Sequence, residues 1–119
     1  MRAAHGDNIS ADLDHMLHGE AVFHSPIVHT PQCGKPVVKA YLMAAFQVLG
    51  PTLDYTRVFD CSDRAVLEFS AEIDGVQING VDMIEWDGAG LITDFKVMVR
   101  PLQAIQTIHG AMRAALERG

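Results

Sequence analysis

The stretch "RAVLEFSAEIDGVQINGVDMIEWDGAGLITDFKVMVR", residues 64–100, decides the fold. Apolar side chains return at every second place, with Ala65, Leu67, Phe69, Ala71 and Ile73 sharing one face, which is the period of a strand packed on one side. Asp74-Gly75 reads as a hairpin turn, residues 76–86 as the next strand, "DGAG" at 87–90 as a second turn, and 91–99 as a further strand. Upstream, Leu53, Tyr55, Phe59 and Cys61 are expected on one face of another strand.

Helices flank this run. Ser10 can cap a short helix reaching about His18, with Gly19 as its stop. Residues 21–28 read as a strand broken at Pro26. Gly34 to Pro36 then open a helix whose apolar face holds Val38, Tyr41, Leu42, Ala45, Phe46 and Leu49, and Gly50-Pro51 end it. After Pro101 a closing helix carries Leu102, Ile105, Ile108, Met112 and Leu116 at helical spacing. The expected fold is α+β, a curved antiparallel sheet wrapped by helices into a cone, with residues 1–119 forming a single domain.

Composition narrows the function classes. The chain is 49% hydrophobic and 20% charged with a formal charge of −6, so it has no basic footprint for nucleic acid. No apolar run reaches the ~20 residues of a membrane span, and the polar start after Met1 does not look like a signal peptide; a cytoplasmic location is expected. Cys33 and Cys61 are then expected as reduced thiols. No P-loop, GxGxxG or GxSxG occurs, and no histidine pair has metal-site spacing with a carboxylate, so neither cofactor nor metal is expected.

One residue breaks the alternation. In "VQINGVDMIEWDG" the positions Ile78, Gly80, Ile84 and Trp86 form an apolar face, and Asp82 falls among them. A buried carboxylate needs a partner or takes up a proton. Arg57, which interrupts the face of Tyr55 and Phe59, is one expected partner; a bulge turning Asp82 to solvent is the alternative. Ser25 next to His24 does not suggest a nucleophile and base, because neighbours along a strand point to opposite faces.

The stretches "GEAVFHSPIVHTPQCGKPVVKAYL" and "NGVDMIEWDGAGLITDFKVMV" resemble the nuclear transport factor 2-like superfamily, in particular its SnoaL-like (polyketide-cyclase-like) and ketosteroid-isomerase-like members. The resemblance implies a cystatin-like cone whose mouth is formed by the strand and loop around Pro26. It places Ser25 where ketosteroid isomerases carry a catalytic Asp, and Asp82 where their protonated oxyanion-hole acid stands, a case among the standard examples of pKa tuning. Their oxyanion tyrosine counts back to near Met1, so that part of the first helix is expected to be missing. Epoxide-hydrolase-like members use an arginine between two aspartates. The last strand here, "FKVMVR", has no such carboxylate, which leaves at most Arg57 with Asp82.

The functional expectation is therefore an apolar pocket for a small lipophilic molecule, with isomerase- or cyclase-like proton transfer around Asp82 and with His24 or His29 as the partner base. Phe23, Ser25, Tyr41, Phe46, Tyr55, Arg57, Phe69, Ile84 and Trp86 are the expected ligand-binding residues, together with Phe95. The alternative is a non-catalytic ligand-binding or dimerisation domain. A homodimer through the sheet is expected in either case.

Overall fold

The computed structural model describes residues 9–118. Helix α1 (Ile9–Met16) leads into strand β1 (Leu17–His24), and the short strand β2 (Gln32–Cys33) precedes helix α2 (Lys35–Leu49). A single 3-10 turn (Gly50–Thr52) connects to strands β3 (Asp54–Asp60), β4 (Arg64–Ile73), β5 (Val76–Trp86) and β6 (Ile92–Arg100), and helix α3 (Leu102–Arg118) closes the chain. The first helix is thus shorter than expected, and Gly19 lies inside β1 rather than behind a helix.

The six strands form one sheet in the order β2-β1-β6-β5-β4-β3. Pairings within the β3–β6 run and between β1 and β2 are antiparallel, whereas β1 runs parallel to β6, with Phe23 beside Phe95. The sheet is therefore mixed. The turn at Asp74-Gly75 has positive φ at both residues, the geometry whose twist suits a two-residue hairpin.

Packing follows from the alternation. Phe69, Ala71 and Ile78 pack with Ala104 and Ile108 of α3, while Phe23, Leu42, Ile84 and Phe95 belong to a second buried cluster. Tyr55 and Val97 touch both clusters. Pro36 in the first turn of α2 uses the position where a missing N–H costs nothing, and the helix seats Val38 and Leu42 in the core. Lys39 reaches Asp14 at 2.9 Å and Lys35 donates to the Asp14 carbonyl at 2.6 Å, tying α2 to α1. Cys33 and Cys61 are free and exposed.

Candidate functional site

Between the two clusters lies a cavity of about 490 Å³, walled by β1, α2, β3, β4, β5, β6, α3 and the loop after β1. Most of its lining is apolar, from Phe23, Leu42, Phe46, Phe69, Phe95 and Val97 among others. Phe23 stacks on Tyr41 with ring centres 5.4 Å apart, a rigid part of the wall.

Asp82 is the one buried charged side chain among the described residues, 8% exposed, and it lines this cavity. It is there because β5 alternates: Ile78, Gly80, Asp82 and Ile84 are buried while Gln77, Met83 and Glu85 are exposed. Tyr55 donates to Asp82 Oδ2 at 3.2 Å. Burial pushes the Asp82 carboxyl up to about 7, and the Tyr55 hydrogen bond pulls weakly the other way. The same burial, with the nearby Asp82 carboxylate, drives the Tyr55 phenol far above its ordinary range. At neutral pH the pair is a phenol that keeps its proton and an acid near half-protonation. The acid can donate one hydrogen bond into an apolar space.

Of the expected ligand-binding residues, Phe23, Ser25, Tyr41, Phe46, Tyr55 and Phe69 line the cavity with Asp82. Arg57 does not. A bulge between Tyr55 and Arg57 inserts Thr56, so Tyr55 pairs with Phe69 on the inner face while Arg57 pairs with Glu68 on the outer one. Arg57 forms an ion pair with Glu68, its side chain 68% exposed. The reduced epoxide-hydrolase arrangement of Arg57 with Asp82 is thereby ruled out. Ile84 is buried in the core cluster, and half-buried Trp86 donates its Nε1 to the Ser62 carbonyl at 3.1 Å; neither borders the cavity.

The two expected bases are also elsewhere. His24 directly follows inward-facing Phe23, so strand parity sends it to the other face, where Nε2 meets Asp94 at 2.9 Å. His29 is exposed in the loop. At the kink, the Ser25 hydroxyl accepts from the backbone N–H of Ile27 at 2.9 Å and of Val28 at 3.4 Å, a local turn-forming role. The position near Met1 onto which the isomerase tyrosine counts back lies outside the described residues.

Unanticipated wall residues come from α3: Met112 and Leu116, with His109, Arg113 and Glu117 beside them. Their signal was present as polar residues at i, i+4 and i+8 next to the apolar stripe, a stripe that reads equally well as plain core. Among the described residues no three His, Cys, Asp or Glu side chains gather as a metal site, and no helix is long and apolar enough to cross a membrane.

These features define an α+β domain in which helices and a mixed sheet enclose a mostly apolar cavity with one buried acid. The sequence matches no family model and no curated protein. Solved structures do match. A steroid delta-isomerase from Pseudomonas aeruginosa is 37% identical, over 92% of this chain and 80% of that one, at a TM-score of 0.86. An uncharacterized bacterial protein with a cystatin-like fold from Silicibacter pomeroyi is 30% identical, over 97% of this chain and 77% of that one, at 0.79. A putative SnoaL-like polyketide cyclase from Jannaschia shares the fold at 11% identity, over 88% of this chain and 81% of that one, at 0.69. The chain belongs to the nuclear transport factor 2-like superfamily, the group that includes SnoaL-like and ketosteroid-isomerase-like domains.

Proposed function

We propose that the cavity binds a small lipophilic carbonyl compound and that Asp82, as a neutral acid, donates a hydrogen bond to the carbonyl oxygen and so favours its enol form. The observation that carries this is a buried, tyrosine-bonded carboxyl in a mostly apolar cavity. A donor aimed at an oxygen that gains negative charge stabilises the enolate more than the ketone, and with His24 and His29 outside the cavity and Ser25 neutral, the proton leaving carbon passes to water or a buffer base. The likeness to a steroid delta-isomerase makes a steroidal enone the probe of choice.

A purely binding role has one observation in its favour. Ser25, at the place of the isomerase base, spends its hydroxyl on backbone N–H groups and cannot shuttle a proton. Exchange of the enone's acidic C–H protons in deuterated buffer, followed by proton NMR, separates the two readings. Acceleration by the wild type and not by Asp82→Leu, which removes the donor at similar side-chain size, is expected; saturable binding without acceleration assigns the cavity to binding alone. Binding itself should weaken as pH rises above about 7, approaching tenfold per unit, as the Asp82 donor is lost. Affinity that is flat from pH 5 to 9 (roughly two units either side of that midpoint) refutes the role of Asp82.

We further propose that two copies pair through the outer face of the sheet. Phe59 and Met98, 61% and 50% exposed, lie on that face with Val66, Val81 and Met83, a contiguous apolar patch bordered by Arg57, Glu68, Asp94 and Lys96. A two-fold pairing sets the patch of one copy against the same patch of the other and lets bordering charges of opposite sign meet. Sedimentation should find a dimer for the wild type at micromolar concentration and a monomer for Met98→Glu. A monomeric wild type overturns the pairing.

A further inference from the structure

Two sets of polar side chains line the cavity: buried Asp82 with its partner Tyr55, and His109, Arg113 and Glu117 on α3, where the Arg113 and Glu117 side chains are 74% and 71% exposed. Spaced by four, these three form a row along one flank of the helix, beside the apolar row that includes Ile108 and Met112. At 100° per residue the opposite flank carries Thr107, Ala111 and Ala114. Every ionisable side chain of α3 from Leu102 to Glu117 is thus on the flank that borders the cavity. Arg113 Nε is 3.6 Å from Glu117 Oε2, beyond hydrogen-bond length, and its side chain is 74% exposed, so its planar fork of N–H donors is open to a guest.

We propose that the cavity takes a two-ended ligand: an apolar body, an oxygen acceptor at the Asp82 end, and a carboxylate held at the opening by Arg113 with His109 beside it. A guanidinium matches a carboxylate with two parallel N–H donors, and next to an apolar wall that charge-assisted pair is less screened than in open water. Glu117 is the counterweight. It balances Arg113 when the cavity is empty and repels an anionic guest, which keeps the preference modest and explains why Glu117 and Arg113 are expected to act in opposite directions. The proposal rests on the cavity being the carbonyl-binding site argued above.

The test uses a steroidal enone bearing a carboxylate at the end opposite its ketone, together with the methyl ester of the same compound. Affinities are measured by calorimetry below pH 7, where Asp82 keeps its proton. Wild type should bind the acid about fivefold more tightly than the ester at low ionic strength, the size expected of a well-oriented exposed ion pair. That preference should vanish in about 0.5 M salt and in Arg113→Gln, and should grow in Glu117→Gln. The ester should bind all three proteins alike, which also reports that the variants are folded. If wild type binds ester and acid equally, or if the preference survives Arg113→Gln, the anionic subsite is refuted while the carbonyl site stands. If wild type binds neither, the carbonyl reading fails and this one with it.

Discussion

Asp82→Asn should be more stable than the wild type above pH 7, by up to about 4 kcal/mol, and no more stable near pH 4. The sign follows from proton counts. The native carboxyl holds its proton up to about 7, whereas the unfolded one releases it near 3.9, so between those values the native state binds more protons and unfolding becomes easier as pH rises. Three units correspond to about 4 kcal/mol. Stability from this group is complete below pH 4 and is lost as pH rises through 7. Asparagine has the same shape, still accepts from Tyr55, and has no such loss. Urea unfolding of both proteins between about pH 4 and pH 9 isolates the effect, because groups not coupled to Asp82 cancel in the difference and the coupled Tyr55 phenol keeps its proton throughout that range. A difference that does not change with pH would mean that Asp82 is not desolvated. A gain in stability on removing a side chain is the usual mark of a group kept for function rather than for the fold.

Gly80→Ala should lose about 2 kcal/mol and shrink the cavity. Gly80 sits directly opposite Phe69 across β4 and β5, and the Phe69 ring covers it. A methyl group there collides with that ring and stands 2.8 Å from the Met98 carbonyl oxygen. The backbone of β6 cannot yield without breaking its pairing, so the ring must move, and the free space beside it is the cavity that Phe69 lines. Chemical denaturation and enone affinity should both fall. Replacing Phe69 by Leu in the Gly80→Ala protein should recover part of the stability. Unchanged stability in the single variant would show that the ring has room elsewhere.

The β4-β5-β6 meander and the inward placement of Asp82 were legible because period-two alternation is a local signal and one acid on an apolar face stands out. The reading failed on Arg57 for a local reason as well: the extra residue at Thr56 reverses the parity of everything after it in β3, and nothing in "LDYTRVF" marks a bulge. His24 illustrates a different limit. Its closeness to Pro26 suggested the mouth of the cone, yet the parity set by Phe23 sends it outward. The parallel pairing of β1 with β6 joins segments some seventy residues apart, as the His24–Asp94 contact measures, and no short window contains it. The row on α3 became meaningful only once the helix was seen to wall a space instead of covering solid core.

That parallel pairing also orders events during synthesis. The hairpins from β3 to β6 join neighbours in the chain and can form as soon as they emerge, but β1, made early, has no parallel neighbour until β6 follows. Forming local contacts first and closing the long loop last is the cheaper route in chain entropy. The wall that carries Phe23 and the wall supplied by α3 therefore both await the last third of the chain. Until β6 and α3 have both emerged from the ribosome, the cavity lacks two of its walls.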